Sequence, residues 1–144
     1  MAIVVKRAET ANEMAGIRAI RLQVFVEEQG VPRNLELDEF DARAIHAAAL
    51  SDGSVVGTGR LILDNPGHAI IGRMSVAQPL RRRGVGDRIL AFLEGEALSR
   101  GVWHITLHAQ SYVKEFYSRH GYKEDGEPFM EAGILHVLMS KKLG

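Results

Sequence analysis

The segment Gly72 to Phe92, GRMSVAQPLRRRGVGDRILAF, reads as the end of a strand, a basic glycine turn and the start of a helix. The strand IIGRMSV covers Ile70 to Val76 and stops before Pro79, which lacks the donor that a ladder needs. The turn Leu80 to Gly86 carries Arg81, Arg82 and Arg83 ahead of Gly84 and Gly86, and glycine admits positive φ and a close approach of a ligand to the main chain. Val85, Ile89, Leu90, Leu93, Ala97 and Leu98 then recur at the spacing of a helix packed on a sheet. Such a junction leaves unpaired N–H groups, a partial positive charge and three guanidinium forks at one helix N-terminus, which are the provisions a diphosphate requires. Arginines in a row also read as a solvated surface run. Their position on the strand-to-helix junction favours the anion. The chain has no GxxxxGK[ST] and no GxGxxG with a following acidic residue, so neither a nucleoside-triphosphate loop nor a dinucleotide fold accounts for the glycines.

With 144 residues and 46% hydrophobic content, the expected organisation is one domain over residues 1–144 with a substantial core. Eighteen basic residues balance eighteen acidic ones, so no global field recruits nucleic acid or a phospholipid surface. The absence of cysteine excludes a disulfide scaffold, a cysteine nucleophile and thiolate metal sites. No apolar run has the length to span a bilayer, no signal segment opens the chain, and a cytoplasmic protein is the expectation.

A first strand is expected over Ala2 to Lys6, and Thr10-Ala-Asn-Glu13 is a capping-box pattern that starts a helix with Met14, Ile17, Ile20, Arg21, Val24 and Phe25 at core-facing positions. Gly30 and Pro32 end it and open an irregular acidic region, Val31 to Asp41. Arg43 to Leu50 and Ser54 to Ile62 read as strands joined by the hairpin signal Asp52-Gly53, with Asp64-Asn-Pro-Gly67 as the next turn. Val102 to Leu107 is expected as a fifth strand and Gln110 to His120 as a helix, with Tyr122 to Glu127 and Leu135 to Ser140 as closing antiparallel strands. The fold class is α/β, mixed α+β, with a largely antiparallel mixed sheet flanked by helices. His104 and His108 share a strand face without the acid of HExxH, so no metal is expected.

Arg81-x-x-Gly84-x-Gly86 after a strand resembles the coenzyme-A motif of the GNAT superfamily of N-acetyltransferases, and Gln110 to Tyr122, QSYVKEFYSRHGY, resembles that family's second signature. Val24-Phe-Val-Glu-Glu-Gln-Gly-Val-Pro32, Glu36-x-Asp38, Asp41, His46 and Glu131-x-Gly133-Ile-x-His136 resemble its ElaA-like branch. The resemblance covers nearly the whole chain. It implies the acyl-CoA N-acyltransferase fold, acetyl-CoA as cosubstrate and an amine acceptor, with a homodimer open through the sheet edge near residues 122 to 140.

Transfer from a thioester to an amine needs a diphosphate clamp, a carbonyl polariser, removal of the amine proton and protonation of the thiolate. The clamp is expected from Arg81, Arg82, Arg83, Gly84, Val85 and Gly86. The resemblance implies that pantetheine adds along the motif strand, with the backbone of Met74 and Val76 facing it and an N–H near Val76 acting as an oxyanion donor. It also implies Tyr117 as the acid, since a phenol is protonated at neutral pH and donates to a forming thiolate. Gln110 stands where many relatives carry asparagine and suits the pantetheine arm or a helix cap, and Phe116 packs toward the adenylate. His46, His136 and Glu131 are candidates for the base. Glu28, Asp38 and Asp41 are candidates for an acceptor ammonium, the alternative being carboxylates that fix their own loop by caps and turns. A noncatalytic acyl-CoA-binding or regulatory module is the alternative function, and direct transfer follows for an enzyme without cysteine.

Overall fold

The computed structural model describes residues 2–144. Thr10 caps the first helix as its pattern requires: its hydroxyl accepts from the Glu13 amide at 3.1 Å and the Glu13 carboxylate accepts from the Thr10 amide at 3.0 Å. Helix α1 (Ala11–Arg21) follows strand β1 (Ile3–Arg7) and continues into a π-helical stretch, Leu22–Glu28, before a single turn, α2 (Arg33–Glu36). A meander comes next: β2 (Ile45–Ser51), β3 (Ser54–Asn65) and β4 (His68–Val76). The β2–β3 link is the expected hairpin, with positive φ at Asp52 (50°) and Gly53 (81°). Helix α3 (Val85–Ser99), β5 (His104–Gln110), α4 (Lys114–Arg119), β6 (Lys123–Glu124), β7 (Phe129–Glu131) and β8 (Ile134–Lys142) complete the chain. Among the described residues, no helix is long and apolar enough to cross a membrane.

All eight strands form one sheet in the order β1-β2-β3-β4-β5-β8-β6, with β7 also on β8. Every pairing is antiparallel except β4 with β5. The mixed, largely antiparallel sheet with helices on both faces agrees with the expected class. The closing strands differ from expectation: β6 is two residues long, and a tight turn through Ala132 and Gly133, both at positive φ, makes a β7–β8 hairpin that the alternation of Tyr122 to Glu127 did not suggest.

Two glycines let α3 lie close on β3. A Cβ on Gly57 would come within 2.9 Å of Ile89, and one on Gly59 within 2.6 Å of the Met74 sulfur and 3.0 Å of Ile89 and Leu93. That face of the sheet is hydrocarbon: Ile45, Ala47, Ala49, Leu61, Ile71, Ile89, Leu90 and Leu93 are buried together. The opposite face lies under α1, where Ile17, Ile20 and Val24 are buried beside Arg21, His46, Thr58 and Arg60.

Candidate active site

Strand β4 is where the sheet opens. Its parallel pairing with β5 lasts for three positions, His68 with His104, Ala69 with Ile105 and Ile70 with Thr106, after which the strands part. On its other edge β4 stays on β3, but with an extra residue: Thr58 faces Ser75 while Arg60 faces Gly72. This bulge contains Arg73 at φ 52°, a left-handed conformation that side chains rarely adopt. Ala77 donates to the Val56 carbonyl, so Val76 opposite Gly57 is a non-bonded pair and turns its N–H and C=O toward the parted edge. Alternation gives Met74 the same orientation. An acceptor chain laid along this edge finds free donors at both residues.

The parted edge leads to α3. Gly84 takes φ 81° at the N-cap, and Val85, Gly86 and Asp87 form the first turn with amides free of intrahelical partners. Phe116 lies against Gly86, since a Cβ there would touch its ring at 3.4 Å. Arg82 and Arg83 are exposed. Arg81 is tied down: its Nε donates to the Val76 carbonyl at 2.8 Å and its Nη2 to Glu28 at 2.7 Å. A strand edge with open donors that runs to a helix N-terminus flanked by guanidinium groups fits the pantetheine and diphosphate of a coenzyme-A thioester.

Tyr117 is buried in the core beside this path, with its ring edge-on to Phe116 at 5.1 Å and to Tyr122 at 5.9 Å. Burial pushes its phenol well above the usual range, so the group is protonated at neutral pH. Gln110 makes no side-chain cap to the short turn that follows it; its amide donates to the Gln29 side chain at 2.8 Å, and Gln29 in turn donates to Tyr112 at 2.9 Å. The end of the π-helical stretch is thereby tied to β5.

The acidic region is occupied from within. Arg21 holds Glu36 and Asp41, each at 2.6 Å. Arg60 pairs with Asp38 through two bonds, 2.7 and 2.8 Å, and reaches Asp41 at 3.0 Å. Arg73, from the bulge, donates to the Glu36 carbonyl at 3.1 Å and to Asp38 at 3.1 Å. Burial would raise the Asp41 carboxyl, but the Arg21 hydrogen bonds, the Asp38 amide and the charges of Arg21 and Arg60 outweigh it and hold the group well below the carboxylate range. Asp38 is lowered likewise, with burial opposed by Arg60 and by the Arg73 charge. Asp38 and Asp41 thus face three guanidinium groups, and Glu28 faces a fourth, where the sequence suggested carboxylates free for an ammonium. The fixed-loop alternative describes Asp38 and Asp41, whose carboxylates also accept from the Phe40 and Asp38 amides, each at 3.1 Å.

His46 belongs to the same network. It is 5% exposed, its Nε2 donates to the Asp41 carbonyl at 2.8 Å, and its Nδ1 is buried without a partner. That nitrogen is sealed from solvent, which does not suit a base that must release protons. Glu131 and His136 do come together, and His108 of β5 joins them. Glu131 accepts from His108 Nδ1 at 2.9 Å and lies 3.7 Å from His136 Nε2. His136 is itself buried, donates from Nδ1 to the Ile134 carbonyl at 2.7 Å and stacks on Phe129. Arg21, Arg60, Arg73 and His108 are the residues that sequence reasoning missed. Arg21 left a trace, a charge at a core-facing helix position, which demands a buried partner.

The acetyltransferase (GNAT) domain family matches residues 7–143. The Bacillus subtilis protein YyaT is 36% identical over 143 residues, covering 96% of this chain and 95% of that protein. A provisionally named N-acetyltransferase from Lactobacillus plantarum superposes with a TM-score of 0.91 at 28% identity, covering 99% of each chain. Escherichia coli ElaA superposes at 0.86 over 97% of this chain and 99% of that one, and its 23% identity carries the fold alone.

Proposed function

The chain belongs to the GNAT acetyltransferase family, and from that premise we propose that it moves an acetyl group from acetyl-CoA directly to a primary amine of a small molecule or an accessible peptide. The observation that carries this reading is the parted β4 edge, which turns the Met74 and Val76 backbone toward the cleft and runs into the arginine-flanked N-terminus of α3. The Val76 and Met74 amides would polarise the thioester carbonyl, acting more strongly as charge develops on its oxygen. Arg82, Arg83 and the amides of Val85 and Gly86 would hold the diphosphate, joined by Arg81 once Glu28 yields it. Tyr117 would supply the proton that the departing sulfur takes, and its buried, protonated phenol supports that role. A single sheet from β1 to β8 supports reading residues 1–144 as one domain.

A finer placement in the ElaA-like branch is also proposed. Its support is that Glu36, Asp38, Asp41 and His46, which carried the resemblance, form one connected network rather than scattered surface positions.

The test is calorimetric binding of acetyl-CoA together with product mass across polyamines, amino sugars, amino acids and short peptides. An acetylated product with an identified amine supports the enzyme; tight binding with no product on any amine would favour the noncatalytic module. Tyr117→Phe should keep acetyl-CoA affinity and lose about 10²-fold in kcat, the usual scale of a proton donor. Unchanged turnover would remove Tyr117 from the acid role.

A further inference from the structure

Gly72 is the last β4 residue before the bulge, and it is opposite Arg60 on the face under α1. A Cβ built on it would meet nothing within 4 Å, so the floor of the opening is bare at this point. Thr106 is the last β5 residue paired with β4, opposite Ile70, and two residues further along each parting strand stand His108 and Gly72, both on that same face. A carboxylate only accepts, so the 2.9 Å contact from His108 Nδ1 to Glu131 fixes the proton on Nδ1 and leaves the Nε2 lone pair free. The His108 side chain is about half exposed, so this nitrogen can exchange protons with water, as the buried His46 cannot.

We propose that the acceptor amine lies over Gly72 and that His108, oriented by Glu131, takes its proton. This rests on the acetyl-transfer reading above and assigns the group which that reading lacks. The charged and titratable groups around His108 are Glu131 on β7 and His136 on β8 behind it. Further down the same face lie His104 and His68, the latter held between Asp64 and Thr106. Arg73 on β4 turns its guanidinium to the Glu36 carbonyl and Asp38. The protons balance as follows. An ammonium loses two: its first N–H bond breaks toward His108 Nε2, which frees the nitrogen pair to form the bond to the acetyl carbon, and the imidazolium returns that proton to water. The carbon–sulfur bond breaks with its electron pair on sulfur, which takes the Tyr117 proton, and the second proton off nitrogen restores the phenol. Glu131 is a positioning residue in this scheme.

The experiment uses ethylamine and benzylamine, which arrive as ammonium ions, and methoxyamine, which is already neutral at pH 7. With the alkylamines, His108→Gln should lower kcat/KM by about 10²-fold and abolish the acidic limb of the wild-type pH profile, while methoxyamine turnover and acetyl-CoA affinity stay near wild type. Nitrogen-15 spectra should show His108 protonated at Nδ1, a state that Glu131→Gln disturbs. Gly72→Val should fold and bind acetyl-CoA as the wild type does but lose alkylamine turnover. An Nε2-protonated His108, or an unchanged pH profile in His108→Gln, overturns the proposal alone. Full alkylamine activity in Gly72→Val overturns the site over Gly72. A wild-type protein that binds acetyl-CoA but acetylates neither these amines nor any of the polyamines, amino sugars, amino acids and peptides above overturns this proposal together with direct transfer.

Discussion

The two faces of the sheet are held by different physics. Under α3, the buried side chains are hydrocarbon and the fit is steric, down to two glycines that leave room for Ile89, Leu93 and Met74. Under α1, four ionisable residues are almost wholly buried, Arg21 at 2%, Glu36 at 4%, His46 at 5% and Arg60 at 6%. Hydrocarbon contacts accept any neighbour of the right shape, whereas charged pairs are strongly particular about partner and direction. The face that must carry an irregular loop, Leu37 to Ala44, is the one that uses directional bonds. Arginines from a helix, a strand and a bulge converge on it, so the loop's position is referred to three separate elements. A buried pair is weak evidence of net stability, because desolvation offsets attraction, but breaking it is costly.

The comparison predicts an order of effects. Arg21→Met strands the buried Glu36 carboxylate and leaves Asp41 with Arg60 alone of its two arginines, and should cost about 3–5 kcal/mol in urea unfolding. A cost below that of a single methylene would mean that water already reaches the network. On the other face, Leu93→Ala should cost about 2–4 kcal/mol from lost transfer energy and a cavity between α3 and β3. Acid separates the faces more gently. The Asp38 and Asp41 carboxyls are depressed in the folded state, so their contribution is complete above the unfolded carboxylate value near ~4 and is lost as pH falls below it. Protection from hydrogen exchange, relative to the intrinsic rate at each pH, should fall at the Asp38, Asp41 and Ala44 amides between about pH 4 and 2 while β5 and α3 remain protected. Simultaneous loss of protection on both faces would show that they do not respond separately.

How much could be read in the chain follows the range of each interaction. The Thr10 cap, the Asp52-Gly53 hairpin and the Gly84 turn are local, and their residues specify them within four positions. The acidic region was legible as a charge run, but its neutralisation was not. Arg60 and Asp38 are 22 positions apart, Arg73 and Asp38 are 35 apart, and only the sheet brings them together. Strand alternation told which residues share a face with His108, yet its carboxylate comes from a hairpin 23 positions later. Arg73 shows a different limit. A bulge adds one residue to one strand, and nothing in the composition of GRMSV marks which residue is extra.

The β4–β5 seam has a mechanical consequence. The N-terminal strand lies at one edge of the sheet and the C-terminal strand beyond the seam, so a pull on the two chain ends crosses the ladders in series. Five to seven paired positions join the main antiparallel neighbours along that path, and three join β4 to β5. A series yields at its shortest link. Under tension in an optical trap, the first rupture should part the sheet at β4–β5 and spare the β1–β4 meander; rupture starting at β1 would contradict this. The opening that admits a ligand is therefore also the molecule's tear line, and a ligand bridging its two sides would act as a rivet.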